Sequence, residues 1–178
     1  MLPTGLQVPA PVKSRFLIIG HGNDLAGDGA VGYQVVDMIA SWHLPSIKTI
    51  ATQQLSPNLI DDIVLADYVI FIDACAGQSC ARTIQLDPII VGTQLPRTLA
   101  SNSTGDSPLA LLNLTQQRYG RTPQAWLLQV PTESSDLHDG LSATTQRGYD
   151  RAVRTIEQFL KTYQRPAWMS AIAHMQSA

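Results

Sequence analysis

No stretch of the chain approaches the roughly 20 consecutive apolar residues that cross a bilayer, so no membrane span is expected. Its twelve lysines and arginines are outnumbered by fourteen aspartates and glutamates and form no basic cluster. A nucleic-acid face therefore has no electrostatic support, and anionic membrane surfaces are disfavoured. The N-terminal MLPTGLQVPAPVKSR lacks a basic start followed by an apolar stretch, so no export signal is expected and a cytoplasmic location is. Cysteine is scarce as well. Cys75 and Cys80 are too few and too close together for a secreted disulfide framework, which fits a reducing compartment. What the chain has is apolar material: 44% hydrophobic against 15% charged residues over 178 positions, enough for one domain with a full core and no second domain.

The order of segments predicts an α/β fold. Residues 1–13 hold three prolines and read as a flexible leader, 14–163 as the single α/β domain, and 164–178 as a tail. Phe16 to Ile19 is a continuous apolar run ending in glycine, the pattern of a strand covered on both faces. Val35, Val36, Ile39 and Trp42 follow at helical spacing up to Pro45. Ile47 to Gln53 is a second strand. Ser56 and Pro57 are the N-cap and first position of a helix striped with Leu59, Ile60, Ile63 and Val64. Tyr68 to Asp73 is the strongest strand, expected at the centre and ending on its carboxylate. Thr83 to Val91 is less regular, and Pro88 confines it to an edge or a bulge. Pro108 opens a helix to Tyr119 with Gly120 as C-cap, Ala125 to Val130 is a strand, and Tyr149, Ala152, Val153, Ile156, Leu160 and Tyr163 share one face of a long last helix. Alternating strands and helices imply a mostly parallel sheet with helices on both sides, a three-layer domain. Ligands of such folds bind beyond the carboxyl ends of the strands. The loops after Ile19 and Asp73 and the one leading to Pro96 are expected to share that edge.

The loop GHGNDLAGDGAVG, residues 20–32, holds five glycines and two aspartates. A dinucleotide fingerprint needs glycine at position 25, where Leu25 stands. The phosphate-loop spacing fits Gly22 and Gly27 and then breaks, because Asp28 occupies the lysine position. Flexible backbone with carboxylates at a strand end favours a cation, for which aspartate is a hard oxygen ligand.

GHGNDLAGDGAVG resembles the GxGNxLxxDDGxG signature of the hydrogenase maturation endopeptidases. VIFIDA, SPLALLNLTQQRYG and VPTESSDLHDGLS resemble that family's central strand with its metal-binding aspartate, its following helix and its late loop, so the likeness runs over roughly residues 15–163. The resemblance implies a three-layer fold like that of the phosphorylases and peptidyl-tRNA hydrolases. It also implies an endopeptidase that removes a short C-terminal extension from the large subunit of a nickel-iron hydrogenase. Its partner would be the hydrogenase large-subunit precursor, already loaded with nickel, and the protease itself would hold no metal stably.

Residue by residue, Asp73 falls on the family's strand-end ligand, and Asp28 on the first acidic residue of the loop pair. The second acidic position falls on Gly29. The family's histidine falls near Thr104, or Asn102 with an insertion, and neither is histidine. Asp28 and Asp73 are thus the candidate metal ligands, with a helix cap as the other reading of Asp28 and a turn cap of Asp73. His21 and His138 are additional candidates: His21 either replaces the missing imidazole or packs in the loop, and His138 either contacts substrate or packs. Gly20, Gly22, Asn23 and Gly29 form the loop backbone. Cys75 is either a soft ligand for nickel or a small buried residue, and His43 and His174 look incidental. No nucleophile is evident, since GxSxG is absent and Ser134 and Ser135 have no identifiable base. The departures at Gly29 and Thr104 leave a second reading open: a non-catalytic relative that binds a partner or peptide.

Overall fold

The computed structural model describes residues 15–22, 27–77, 80, 83–92, 106–133 and 140–164. Among these residues five strands form one sheet: β1 (Phe16–His21), β2 (Ile47–Thr52), β3 (Tyr68–Ala76), β4 (Leu86–Ile89) and β5 (Gln124–Thr132), in the order β2-β1-β3-β5-β4. All neighbours are parallel except β4, which runs antiparallel to β5 at one edge. The helices are α1 (Val31–Ala40), α2 (Ile60–Ile63), α3 (Pro108–Tyr119) and α4 (Ala143–Tyr163).

Successive side chains of a strand point to opposite faces, and both faces of this sheet are apolar. Ile18, Ile70, Ile72, Leu128 and Val130 pack beneath α1 and α4, whose Val35, Ile39, Ala152 and Ile156 are buried with them. Leu17, Ile19, Val69 and Phe71 face the other way, onto Ile60 and Ile63 of α2 and Leu111 and Leu112 of α3. Each fully buried side chain of this size contributes about 1.5–3 kcal/mol, and the two clusters account for the continuous apolar runs of β1 and β3. This is the three-layer α/β architecture.

Several elements differ from the sequence reading. α1 stops at Ala40, short of Trp42, because the chain reverses through His43 at φ 49°; Trp42 still packs on the core from the turn. The Ser56–Pro57 start gives a 3₁₀ turn, Pro57–Leu59, before the single turn of α2, and the Ser56 side chain makes no cap hydrogen bond. β3 does not end at Asp73 but continues to Ala76, paired with β5 throughout. β4 lies at the edge, one of the two places Pro88 allows. Because it is antiparallel, Ile89 pairs with Ala125 at the start of β5, and the chain leaves β4 at the edge opposite to His21 and Asp73. At α3 the C-cap is as read, Gly120 at φ 69° donating to Gln116, and the N-cap is Ser107, whose Oγ accepts from the Ala110 N–H at 3.2 Å.

One contact fixes the site. A Cβ on Gly20 would lie 2.2 Å from the Gly32 carbonyl oxygen, and one on Gly32 would lie 2.8 Å from that of His21. Two glycines thus let the first turn of α1 rest on the end of β1.

Candidate functional site

From β1 the chain runs outward to β2, then crosses back over β1 to β3. The sheet's switch point therefore lies between β1 and β3, where α/β folds open a crevice. His21, the last residue of β1, and Asp73 are partners in the β1–β3 register. Their side chains keep 18% and 33% of their surface exposed, and His21 Nε2 lies 3.6 Å from Asp73 Oδ1, too far for a hydrogen bond. His21 Nε2 is buried with no hydrogen-bond partner among the described residues. Burial pushes the Asp73 carboxyl above its ordinary range, opposed by the His21 imidazole and the Ala74 N–H.

Two donor atoms in this arrangement suit one ion. A first-row divalent cation held about 2.1 Å from each, as zinc is, would see them at an angle of about 118°. Imidazole and carboxylate together match a borderline cation. Among the described residues no group of three or more His, Cys, Asp and Glu gathers to hold a metal, so further ligands must come with the ion.

Asp28 has a different place. It is fully buried and accepts from the Glu133 N–H at 2.9 Å, the Ser142 N–H at 2.7 Å and the Ser142 hydroxyl at 2.8 Å. Burial alone would raise its pKa. The two Ser142 donors, Thr145 and the Glu133 N–H outweigh that and hold it well below the ordinary carboxylate range. This corrects the reading of Asp28 as a metal ligand, and also the reading as cap of its own helix. It ties the glycine loop to the end of β5 and to Ser142, which caps α4 by accepting from Thr145. The sequence signal for Ser142 is its position before a helix; its partnership with a residue 114 positions away has none.

Gly20 and Gly22 lie at the β1 end, with the Gly22 N–H donating to the Thr52 carbonyl at 3.2 Å. Gly29 sits in the 3₁₀ turn Gly27–Ala30, with no carboxylate to offer. Cys75 is no thiolate ligand, because it is bonded to Cys80 with the two Cα atoms 5.6 Å apart; the same bond removes the support that the two cysteines lent to a reducing compartment. His43 is exposed on the α1 turn, its Nδ1 2.7 Å from the Ser41 carbonyl. Asn23, Asn102, Thr104, Ser134, Ser135, His138 and His174 lie outside the described residues.

No protein-family model matches the chain, and no curated protein sequence does. Solved structures do match. The hydrogenase maturating endopeptidase HybD from E. coli is 23% identical, with 83% of this chain and 93% of that one covered at a TM-score of 0.64. The [NiFe] hydrogenase maturation protease HycI from Thermococcus kodakarensis KOD1 is 20% identical over 84% and 94%, also at 0.64. The hydrogenase 2 maturation peptidase from Thaumarchaeota archaeon SCGC_AB-539-E09 is 21% identical over 83% and 98%, at 0.58. The chain has the fold of these hydrogenase maturation peptidases along nearly their whole length.

Proposed function

We propose that the chain is an endopeptidase of the hydrogenase-maturation kind, trimming the C-terminal extension of a nickel-loaded large-subunit precursor. The observation that carries this reading is the His21–Asp73 pair at the switch point. A buried imidazole nitrogen without a partner and a carboxylate raised by desolvation both gain from the arrival of a cation. The nickel belongs to the substrate and supplies Lewis acidity, positioning the scissile segment and polarising a carbonyl or a water. On this chain, Asp73 offers the oxygen ligand and His21 Nε2 the imidazole that the family places near Thr104. Asp28 keeps the glycine loop in place from behind. A cytoplasmic site of action belongs to the same reading through the resemblance alone, since the paired cysteines do not argue for it.

The test is incubation of the purified chain with a nickel-loaded precursor, followed by intact-mass measurement. A shortened subunit, absent with Asp73→Ala, is expected. An unshortened one, with an established maturation protease succeeding in parallel, would overturn the proposal.

A second reading rests on Gly29. With no side-chain carboxylate there and Asp28 engaged by Ser142 and Glu133, this reading has the chain acting as a non-catalytic binder of the same partner, without the ligand set for hydrolysis. Co-purification with the precursor without any change in its mass would select it.

A further inference from the structure

Beyond the His21–Asp73 pair, β3 and β5 run on together for three residues, to Ala76 and Thr132. A cleft of about 380 Å³ opens there between the strand ends and α4. Gly77, Cys80, Ile84 and Pro131 form one side, and Arg147 and Arg151 the other. The Cys75–Cys80 bond anchors the first side to β3. Gly148, between the arginines, seats α4 tightly on β5, since a Cβ there would lie 2.7 Å from Val130 Cγ1.

The side chains that line this cleft carry positive charge and no carboxylate among the described residues; the adjacent Glu133 carboxylate is engaged by the hydroxyl of Thr144, which donates to it. Arg147 donates to Thr144 Oγ1 at 3.1 Å, which leaves most of its five N–H groups available. The Arg151 guanidinium has no ion-pair or hydrogen-bond partner among the described residues. Elsewhere Arg15, Lys48 and Lys161 each face a carboxylate, of Asp67, Asp62 and Glu157. Four residues apart on one helix, Arg147 and Arg151 are neighbours whose like charges disfavour the helix, a cost that a bound anion relieves. Arginine forks match carboxylates in particular.

We propose that this cleft is a carboxylate-binding subsite, which holds an acidic group of the peptide segment adjoining the scissile bond. The proposal rests on the peptidase reading above and names part of its substrate. Gly77 is four residues past Asp73, about 13 Å along an extended strand, so a bound peptide spans the interval with about four residues. The carboxylate is either an aspartate or glutamate side chain or the chain end.

Three acetylated pentapeptides separate these sources in titrations followed by amide NMR of the full chain: one with two glutamates and an amidated end, one with glutamines and a free end, and one with glutamines and an amidated end. One or both of the first two should shift the Gly77 and Gly148 amides, and the third should not. Arg147→Gln and Arg151→Gln should each weaken that binding by about fivefold or more, with Arg151→Lys retaining part of it. Equal shifts from the neutral peptide, unchanged binding in both glutamine variants, or no shift from either acidic peptide at millimolar concentration would overturn the subsite. Asp73→Asn separates the two claims, since it should leave the peptide shifts intact while abolishing precursor shortening. Peptide shifts with no shortening by the unaltered chain would sink the peptidase reading and leave the subsite standing.

Discussion

His21 and Asp73 are register partners on β1 and β3, with Nε2 3.6 Å from Oδ1, and His21 Nε2 has no hydrogen-bond partner among the described residues. Cadmium titration by calorimetry should therefore detect weak binding that His21→Ala and Asp73→Ala each reduce by about tenfold or more, because each removes one of two protein donors. His43→Ala, on the exposed α1 turn, should leave the isotherm unchanged. An equal loss in all three variants would show that the ion binds elsewhere.

Asp28→Asn should destabilise the fold with little effect on cadmium binding. The buried carboxylate receives two backbone N–H groups and one hydroxyl, and an asparagine NH₂ would be turned toward donors. Hydrogen bonds to a charged group are worth about 1.5–3 kcal/mol, so a loss of about 3 kcal/mol is expected. For a chain of this length that is about 6–12 °C in Tm, measurable by thermal unfolding.

The same residue sets an acid limb. Its folded pKa is depressed below the ordinary value of 3.8, so the unfolded chain takes up the proton first as pH falls. The stabilisation is complete above about pH 5 and is lost as pH falls through the unfolded and then the folded pKa. The Tm gap between the native chain and Asp28→Asn should be constant from pH 7 to 5 and narrow steadily below pH 4. A gap that widened on acidification would contradict the assignment.

How far this arrangement could be read from residues alone varies with the range of the interaction. β1 and β3 declare themselves because apolar residues on both faces leave no other place for them than a covered sheet, and Gly120 caps α3 through a contact four residues back. Pro88 marks an edge but not a direction. Whether β4 runs parallel or antiparallel depends on its pairing with β5, which follows it by 35 positions or more. Asp73 and His21 were both assignable to the ligand edge, whereas their pairing depends on a register that periodicity does not fix. Asp28 was misread because a carboxylate in a glycine loop looks the same whether it faces a cleft or the N–H groups of Glu133 and Ser142. Arg147 and Arg151 carried no signal, since charged residues at helical spacing ordinarily face solvent.

Gly20→Ala should be among the most damaging substitutions in the chain. The new methyl would meet the Gly32 carbonyl oxygen at 2.2 Å and Val36 Cγ2 at 2.7 Å, and the first of these is backbone that cannot rotate away. Overpacking of this kind costs about 1–3 kcal/mol and more where the neighbour is fixed. Relief requires α1 to move off β1, which also displaces His21. Loss of cadmium binding together with a lowered Tm is expected, in contrast to Asp28→Asn, where stability alone should fall.

The Cys75–Cys80 bond closes a short loop, five positions in sequence, immediately after the strand that carries Asp73. Closing a loop this small removes unfolded-state entropy worth about 2 kcal/mol, so reduction should lower Tm by about 4–8 °C. Alkylation of the denatured chain should modify no cysteine before reduction and both after it. Cys75 is buried against the core while Cys80 lines the arginine cleft; breaking the bond thus frees the cleft wall while leaving β3 held by its ladder to β5 through Ala76 and Thr132. Cys75→Ser combined with Cys80→Ser, which leaves no free thiol to bind cadmium, should accordingly lose the stability increment and weaken the acidic-peptide shifts at Gly77, with cadmium binding at His21 and Asp73 retained. If cadmium binding fell in parallel with peptide binding, the loop and the ion site would form one mechanical unit, and the separation of the two subsites along β3 would be wrong.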